Sequence, residues 1–258
     1  PSRVEALQYY RQVVDYRALN IRLYANVTTV EKADGWFNIG LSSGEQYRAR
    51  TVIFATGYFD HTNKLGVPGE DLPHVSHYYD EPYRYAHTRV AIIGGRNSAV
   101  ETALDLYRHG ATVTLIHRQP TLGDSVKYWV RPDIDNRIKN GGITARFSTV
   151  VEEITPSEVR VCSTVDGVRT SIAADFVFAM IGYRPDEALL RSAGIEMHPR
   201  TLVPSYHPET FETNVEGLYV AGSVACGCET WNIFIENGRA HAEPVIRHIL
   251  ATKGHSTL

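Results

Sequence analysis

Cysteine, methionine and tryptophan are scarce in this chain: three, two and three in 258 residues. Cys162, Cys226 and Cys228 cannot form the even framework that staples small secreted domains, which points to a reducing cytoplasm. No apolar run approaches the roughly 20 residues a membrane helix needs, and the opening residues do not read as a signal peptide. Low-complexity segments are missing. Neither sign of charge dominates, since 26 Lys and Arg stand against 29 Asp and Glu for a net −3. That balance offers no basic stripe for nucleic acid and no acidic tail. No His or Cys pair has metal-site spacing, so no metal is expected. What is left is a chain of ordinary composition, long enough for one large or two medium domains with a sizeable core.

Against that background one stretch stands out. Residues 90–93, Val-Ala-Ile-Ile, are a continuous apolar run of the kind a buried parallel strand needs. Gly94 and Gly95 follow, then Arg96, Asn97, Ser98 and Ala99, then a helical pattern with Val100, Ala103, Leu104 and Tyr107 on one face. Ser98 and Glu101 have capping-box spacing, which predicts the helix entry there. Strand, tight turn and helix leave backbone N–H groups pointing forward, and these with the helix dipole favour a diphosphate. Ala99 suits the last position of the dinucleotide fingerprint, where helix and strand pack closely; Arg96 stands where a second glycine is expected. Residues 111–116 supply a second strand and complete a βαβ unit. Its end carries His117 and Arg118 where an acidic residue would bind a ribose hydroxyl. A cation there suits a 2′-phosphate, so NADPH is expected rather than NADH. The alternative is a βαβ unit whose glycines only make a turn and whose Arg118 is merely solvated.

The chain before and after this unit follows one plan twice. Residues 5–19 read as an amphipathic helix with Leu7, Tyr10, Val13, Val14 and Tyr16 towards a core, and residues 21–24 as a strand. Residues 27–32, 36–41 and 46–49 read as a β-meander, closed by a buried strand over 52–58 that ends on Gly57. After the βαβ unit, a strand over 143–147 is followed by alternating segments at 150–154, 159–164 and 168–172, closed by 176–183 with Gly182. An internal repeat is the simplest account. The second copy has a nucleotide-binding half before its meander and the first does not, so the expectation is that the opening βαβ unit of a first nucleotide domain is lacking; a self-contained small meander domain is the alternative. A short helix at 188–193, an irregular stretch, an apolar strand ending on Gly222 and Ser223, and a final helix over about 231–250 complete the chain. Residues 78–85 read as the connection between domains. His74, His77 and His87 are expected on the surface or in loops, and Tyr128 with Trp129 as packing at a domain edge, a substrate mouth being the alternative.

Residues 213–223 resemble the second flavin motif of the two-dinucleotide-domain flavoproteins, and Ala55-Thr56-Gly57 resembles the strand end that crosses the flavin in the same group. With residues 94–99 and His117-Arg118, they are similar to pyridine-nucleotide disulfide oxidoreductases of the thioredoxin-reductase-like type. The stretches 93–101, 125–134, 175–186 and 233–239 resemble the bacillithiol-disulfide reductases, also called bacilliredoxin reductases, over nearly the whole chain. The resemblance implies an α/β fold of two Rossmann-like FAD/NAD(P)-binding three-layer domains, each with a β-meander, the first incomplete. Residues 1–87 and 184–258 would form a discontinuous partial FAD-binding domain, and 88–183 the NADPH-binding domain. It further implies that NADPH reduces FAD, which delivers electrons to a low-molecular-weight thiol disulfide or a mixed disulfide on a small redox protein, with a homo-oligomer left open. Thr56, Gly57, Gly182, Gly222 and Ser223 then join Gly94 to Ala99, His117 and Arg118 as cofactor-binding candidates.

Three departures bear on that expectation. No cysteine lies within 69–88, where the thioredoxin reductases carry Cys-x-x-Cys; Ser223 replaces the common aspartate on the flavin's sugar chain; and without the opening unit FAD binding should be weak or nil. Cys226 and Cys228 are the catalytic candidates, placed after the flavin-side strand and before a helix whose N–H groups would stabilise a thiolate. The competing account is simple packing in a tight loop beside Gly227. Two other functions remain in view: a flavin-dependent monooxygenase, from His77, Tyr78 and Pro82 ahead of the nucleotide fingerprint, and a non-catalytic NADP-binding module that senses redox state through Cys226 and Cys228.

Overall fold

A computed structural model of the chain describes residues 2–253. Helix α1 (Arg3–Arg17) is capped by Ser2 and Glu5, which bond each other's backbone N–H reciprocally. It buries no side chain, contrary to the expected core-facing stripe: Leu7 and Tyr16 are 54% and 83% exposed. The expected strand at 21–24 is irregular chain, with Tyr24 left-handed at φ +56° and fully exposed. An apolar pattern gives a helix or strand only when something lies opposite it to bury against, and nothing among the described residues does. The meander forms as expected from β1 (Val27–Ala33), β2 (Trp36–Leu41) and β3 (Gln46–Ala49), antiparallel in that order. β4 (Val52–Phe54) is shorter than expected and only half covered, because its sheet has two strands among the described residues and Ile53 faces outward at 40% exposure.

β5 (His61–Thr62) and β6 (Val75–Ser76) lead into β7 (Arg89–Ile93), α2 (Asn97–Arg108) and β8 (Thr112–Ile116). Helix α3 (Arg131–Lys139), unforeseen from the sequence, has Pro132 in its first turn and carries β9 (Thr144–Arg146) back parallel to β8. Strands β10 (Thr149–Ile154), β11 (Glu158–Ser163) and β12 (Arg169–Ala173) repeat the antiparallel meander, and β13 (Phe176–Ala179) returns to the parallel sheet. That sheet has the order β6-β13-β7-β8-β9 with every pair parallel, so all carboxyl ends share one edge. α2 and Ile134 of α3 cover one face through Val100, Leu104 and Leu106, and β10 and β11 cover the other around Ala91, Ile116 and Val177.

β14 (Tyr183–Arg184) pairs antiparallel with β5 where the chain passes between the halves. α4 (Glu187–Ser192) is capped by Asp186, and β15 (Leu218–Val220) pairs parallel with β4. The expected single final helix is instead α5 (Ile235–Gly238), a 3-10 turn, and α6 (Ala242–Lys253). Asn237 Oδ1 accepts the Phe234 N–H at 2.7 Å and so delays the helix start to 235. The connection at 78–85 is not a free linker. Tyr79 and Tyr85 pack in the core under α2, and Leu65, Val67 and Leu72 pack beneath the second meander, where Ile154 N–H bonds Pro68 O. Leu65, Val67, Leu72, Tyr79 and Tyr85 therefore pack with the central half.

Candidate functional site

At the carboxyl edge of the five-stranded sheet, β7 ends on Gly94, whose φ is +147°. A Cβ at that position would lie 2.4 Å from Met180 O and 2.9 Å from Ala99 Cβ, so only glycine lets β7, β13 and α2 meet here. Ala99 is fully buried, in keeping with the small residue expected at that contact. Gly95 is needed for another reason: its Cβ would sit 2.5 Å from the His117 ring. The helix does not begin with the expected Ser98 and Glu101 box. Arg96 is the extended N-cap residue and makes no side-chain cap bond, which puts Ser98 inside the first turn. Glu101 takes the Lys127 ammonium at 2.8 Å instead. Asn97 turns its side chain outward, donating to Ser125 O and accepting the Lys127 N–H, both at 2.9 Å, and so ties loop 123–127 to the helix entry. The first N–H groups of α2 keep no side-chain cap and remain available to an anion.

Positive charge gathers beside them. Arg118 is exposed after β8, and Arg146, opposite Ile116 in the register, ends the neighbouring strand. Neither has an ion-pair partner among the described residues. Sequence reasoning missed Arg146 because its relevance depends on β9 lying next to β8; the expected strand at 143–147 was the available signal. His117 is half-buried, and burial first, then the nearby Arg118 and Arg96 cations, pushes its imidazole below the ordinary range.

A second edge is formed by β4 and β15. Ala221 N–H extends the pair to Phe54 O at 2.8 Å, Thr56 is exposed, and a Cβ on the left-handed Gly57 would stand 3.2 Å from Ser223 Oγ. Gly222 has φ +70° with open space where a side chain would go, and its N–H donates to His241 Nδ1 at 3.2 Å. Burial holds that imidazole neutral by lowering its titration, which suits Nδ1 as acceptor.

The helix expected directly after Cys226 and Cys228 begins later in the chain. Cys226 ends a 3-10 turn (Gly222–Cys226), α5 starts only at Ile235, and the Ile233 backbone N–H ahead of it bonds the Cys226 sulfur. The buried Cys226 thiol donates to Ser223 O at 3.0 Å, and Cys228 N–H bonds Thr201 O at 2.7 Å. Burial pushes both thiols up.

The two edges approach one another across an aromatic group. Tyr58 and Tyr183 stack at 6.4 Å, Phe59 lies 4.7 Å from Tyr183, and Tyr183 donates to His77 O. Gly182, left-handed at φ +95°, lies at the same crossing, its carbonyl accepting from Asn63 N–H. The Arg96 guanidinium lies 4.6 Å over the Trp231 ring and so links the nucleotide loop to the segment after Gly222. Tyr128 and Trp129, expected to pack, are 83% and 62% exposed and lie edge to face at 4.9 Å. His77, expected on the surface or in a loop, lies in the loop after β6 with its side chain against Glu70.

Residues 1–222 match the family described as pyridine nucleotide-disulphide oxidoreductase. The chain belongs to that family. It is similar to Bacilliredoxin reductase Bdr of Bacillus subtilis (strain 168), at 41% identity over 255 residues covering 99% of this chain and 78% of the relative. Among solved structures it is similar to the bacillithiol disulfide reductase of Bacillus cereus, with a TM-score of 0.94 and 38% identity, and to that of Staphylococcus aureus, with 0.92 and 39%. Each alignment covers 98% of this chain and 78% of the solved one. The oxidoreductase fold is thus the α/β, thioredoxin-reductase-like arrangement expected, and the protein is a disulfide oxidoreductase of that family.

The family implies FAD and NADPH, and the geometry admits both to different degrees. For the pyridine nucleotide the fit is good: Gly94 and Gly95 permit close approach, α2 lacks a side-chain cap, and Arg118 and Arg146 are unpaired among the described residues. On the flavin side the open cradle at Gly222 and the exposed Thr56 fit one wall of a nucleotide site. No helix among the described residues is long and apolar enough to cross a membrane.

Proposed function

We propose that this protein is a cytoplasmic enzyme that uses NADPH and FAD to reduce bacillithiol disulfide or a mixed disulfide on a bacilliredoxin-type small protein. The observation that carries the nucleotide half of this reading is the uncapped start of α2 beside the exposed Arg118. The disulfide half is supported by the likeness to the reductases of Bacillus and Staphylococcus. FAD, when bound, supplies a carrier that takes a hydride from NADPH and passes two electrons to a disulfide.

The chain's own residues bind and orient. The α2 N–H groups and Arg96 hold the diphosphate, Arg118 and Arg146 the 2′-phosphate, and the neutral His117 lines the loop. Gly57, Thr56, Gly222 and Ser223 form the flavin wall, with His241 fixing Gly222. Gly182 at the aromatic crossing brings the two edges together. In this reading the NADPH-binding domain comprises residues 63–182 and the flanking segments form the flavin side. Cys226 and Cys228, protonated and held in a packed loop, act as spacers, so C226S and C228S together should leave turnover intact; its loss would put the pair in the electron path.

The test is the visible spectrum and NADPH consumption of the purified intact gene product. Flavin absorbance and NADPH oxidation that accelerates with bacillithiol disulfide are expected. Consumption driven only by oxygen through a stable oxygen adduct would assign a monooxygenase. Nucleotide binding without turnover, together with reversible oxidation of Cys226 and Cys228, would assign a redox-sensing module.

A further inference from the structure

Arg96 occupies the fingerprint position whose usual glycine lets a dinucleotide's diphosphate approach the backbone. Its own backbone is extended, φ −113° and ψ −171°, and its neighbours are fixed: Gly123 N–H bonds Gly95 O, and Asn97 is tied to Ser125 and Lys127. The Arg96 side chain is therefore the part of the loop free to change partners. It has no carboxylate partner among the described residues, and its guanidinium rests over the Trp231 ring at 4.6 Å.

Trp231 is itself 39% exposed and stands on the flavin side. Its neighbour Thr230 accepts from the Tyr58 hydroxyl at 3.3 Å, and Asn232 O accepts from the Asn237 amide that sets the start of α5. A guanidinium over an aromatic face is held weakly beside a pair of charge-assisted hydrogen bonds to phosphate oxygens. A diphosphate at the start of α2 lies within reach of the same side chain.

We propose that Arg96 is contested by two partners, the Trp231 indole and the diphosphate of the pyridine nucleotide, so that nucleotide binding withdraws Arg96 and releases Trp231. Trp231 is then a positioning residue: it parks Arg96 away from the empty nucleotide loop and reports occupancy of that loop to the flavin-side segment 229–234. The inference rests on the nucleotide site proposed above.

The test needs no turnover. With 5-fluorotryptophan incorporated into the full chain, the Trp231 fluorine resonance should shift on saturation with NADP+; it is assigned by its loss in W231L, or by elimination with W36F and W129F should W231L not fold. By calorimetry, W231L should bind NADP+ about threefold more tightly, R96A about tenfold more weakly, and W231L should add nothing in the R96A background. An unmoved Trp231 resonance, or an unchanged affinity in a folded W231L, overturns the inference. R118A separates the two readings: if it weakens NADP+ binding while Trp231 stays silent, only the inference falls, and if the chain binds no NADP+ at all, the nucleotide site falls with it.

Discussion

Gly94 is where one missing methyl group decides the nucleotide edge. Alanine there would carry a φ of +147° and place Cβ 2.4 Å from a backbone oxygen that cannot rotate away. G94A should cost on the order of 2–3 kcal/mol of stability, read as a fall in the denaturant midpoint at unchanged slope; a neutral result would mean β13 can retreat from β7. Arg118 is a different kind of residue, exposed and without an ion pair among the described residues, so its removal tests function rather than folding. R118A should leave the melting temperature within a degree or two while weakening NADP+ by about 1–3 kcal/mol and NAD+ hardly at all. Equal losses for both nucleotides would remove the 2′-phosphate from Arg118.

Helices α1 and α2 show what periodicity can and cannot reveal. Both present apolar residues at helical spacing, yet α2 buries Val100, Ala103, Leu104 and Leu106 almost completely and α1 buries nothing. In this chain L106A should therefore cost about 2–5 kcal/mol, while L7A should stay within about 0.5. Comparable losses would show that α1 packs against something in solution. The same distinction separates the legible from the hidden in the sequence. Strand β7, its glycines and the basic end of β8 could be read because each is dictated by neighbours in the chain. The two meanders could be read because alternation and Asp-Gly turns are local. The cap of α2 could not: Ser98 and Glu101 have capping-box spacing in the sequence, but in the fold Arg96 is the N-cap and Glu101, like Asn97, is taken by loop 123–127. Arg146 and Trp231 depend on partners 30 or more positions away, for which periodicity carries no signal.

Across the whole molecule, three histidines set the response to acid. His77, His117 and His241 all titrate below the ordinary imidazole range, burial being the first cause in each and the Lys64 or Arg118 cation adding to it for the first two. Between its lowered native value and about 6.5, each binds fewer protons folded than unfolded, so stability rises with pH there. The contribution is complete above about pH 6.5 and is lost as pH falls below it. Carboxylates act later: Arg89 holds Asp175 at about 2 against 3.8, so that stabilisation is lost only below pH 3.8. His77 has the strongest claim among the three. Its side chain is 10% exposed, and Nε2 lies 3.2 Å from Glu70 Oε1 without a well-aligned hydrogen bond. Glu70 cannot reorient freely to meet a new charge, because both its oxygens accept N–H groups, from Leu65 at 2.7 Å and Gly66 at 2.8 Å. One such imidazole gives a slope of at most about 1.4 kcal/mol per pH unit. Melting temperature should therefore fall as pH drops from 6.5 towards 5, above the range in which Asp175 titrates, and the fall should be shallower in H77N, which keeps a polar side chain that does not titrate. A flat profile over that interval in the wild-type chain would mean that Glu70 compensates the His77 charge as it forms.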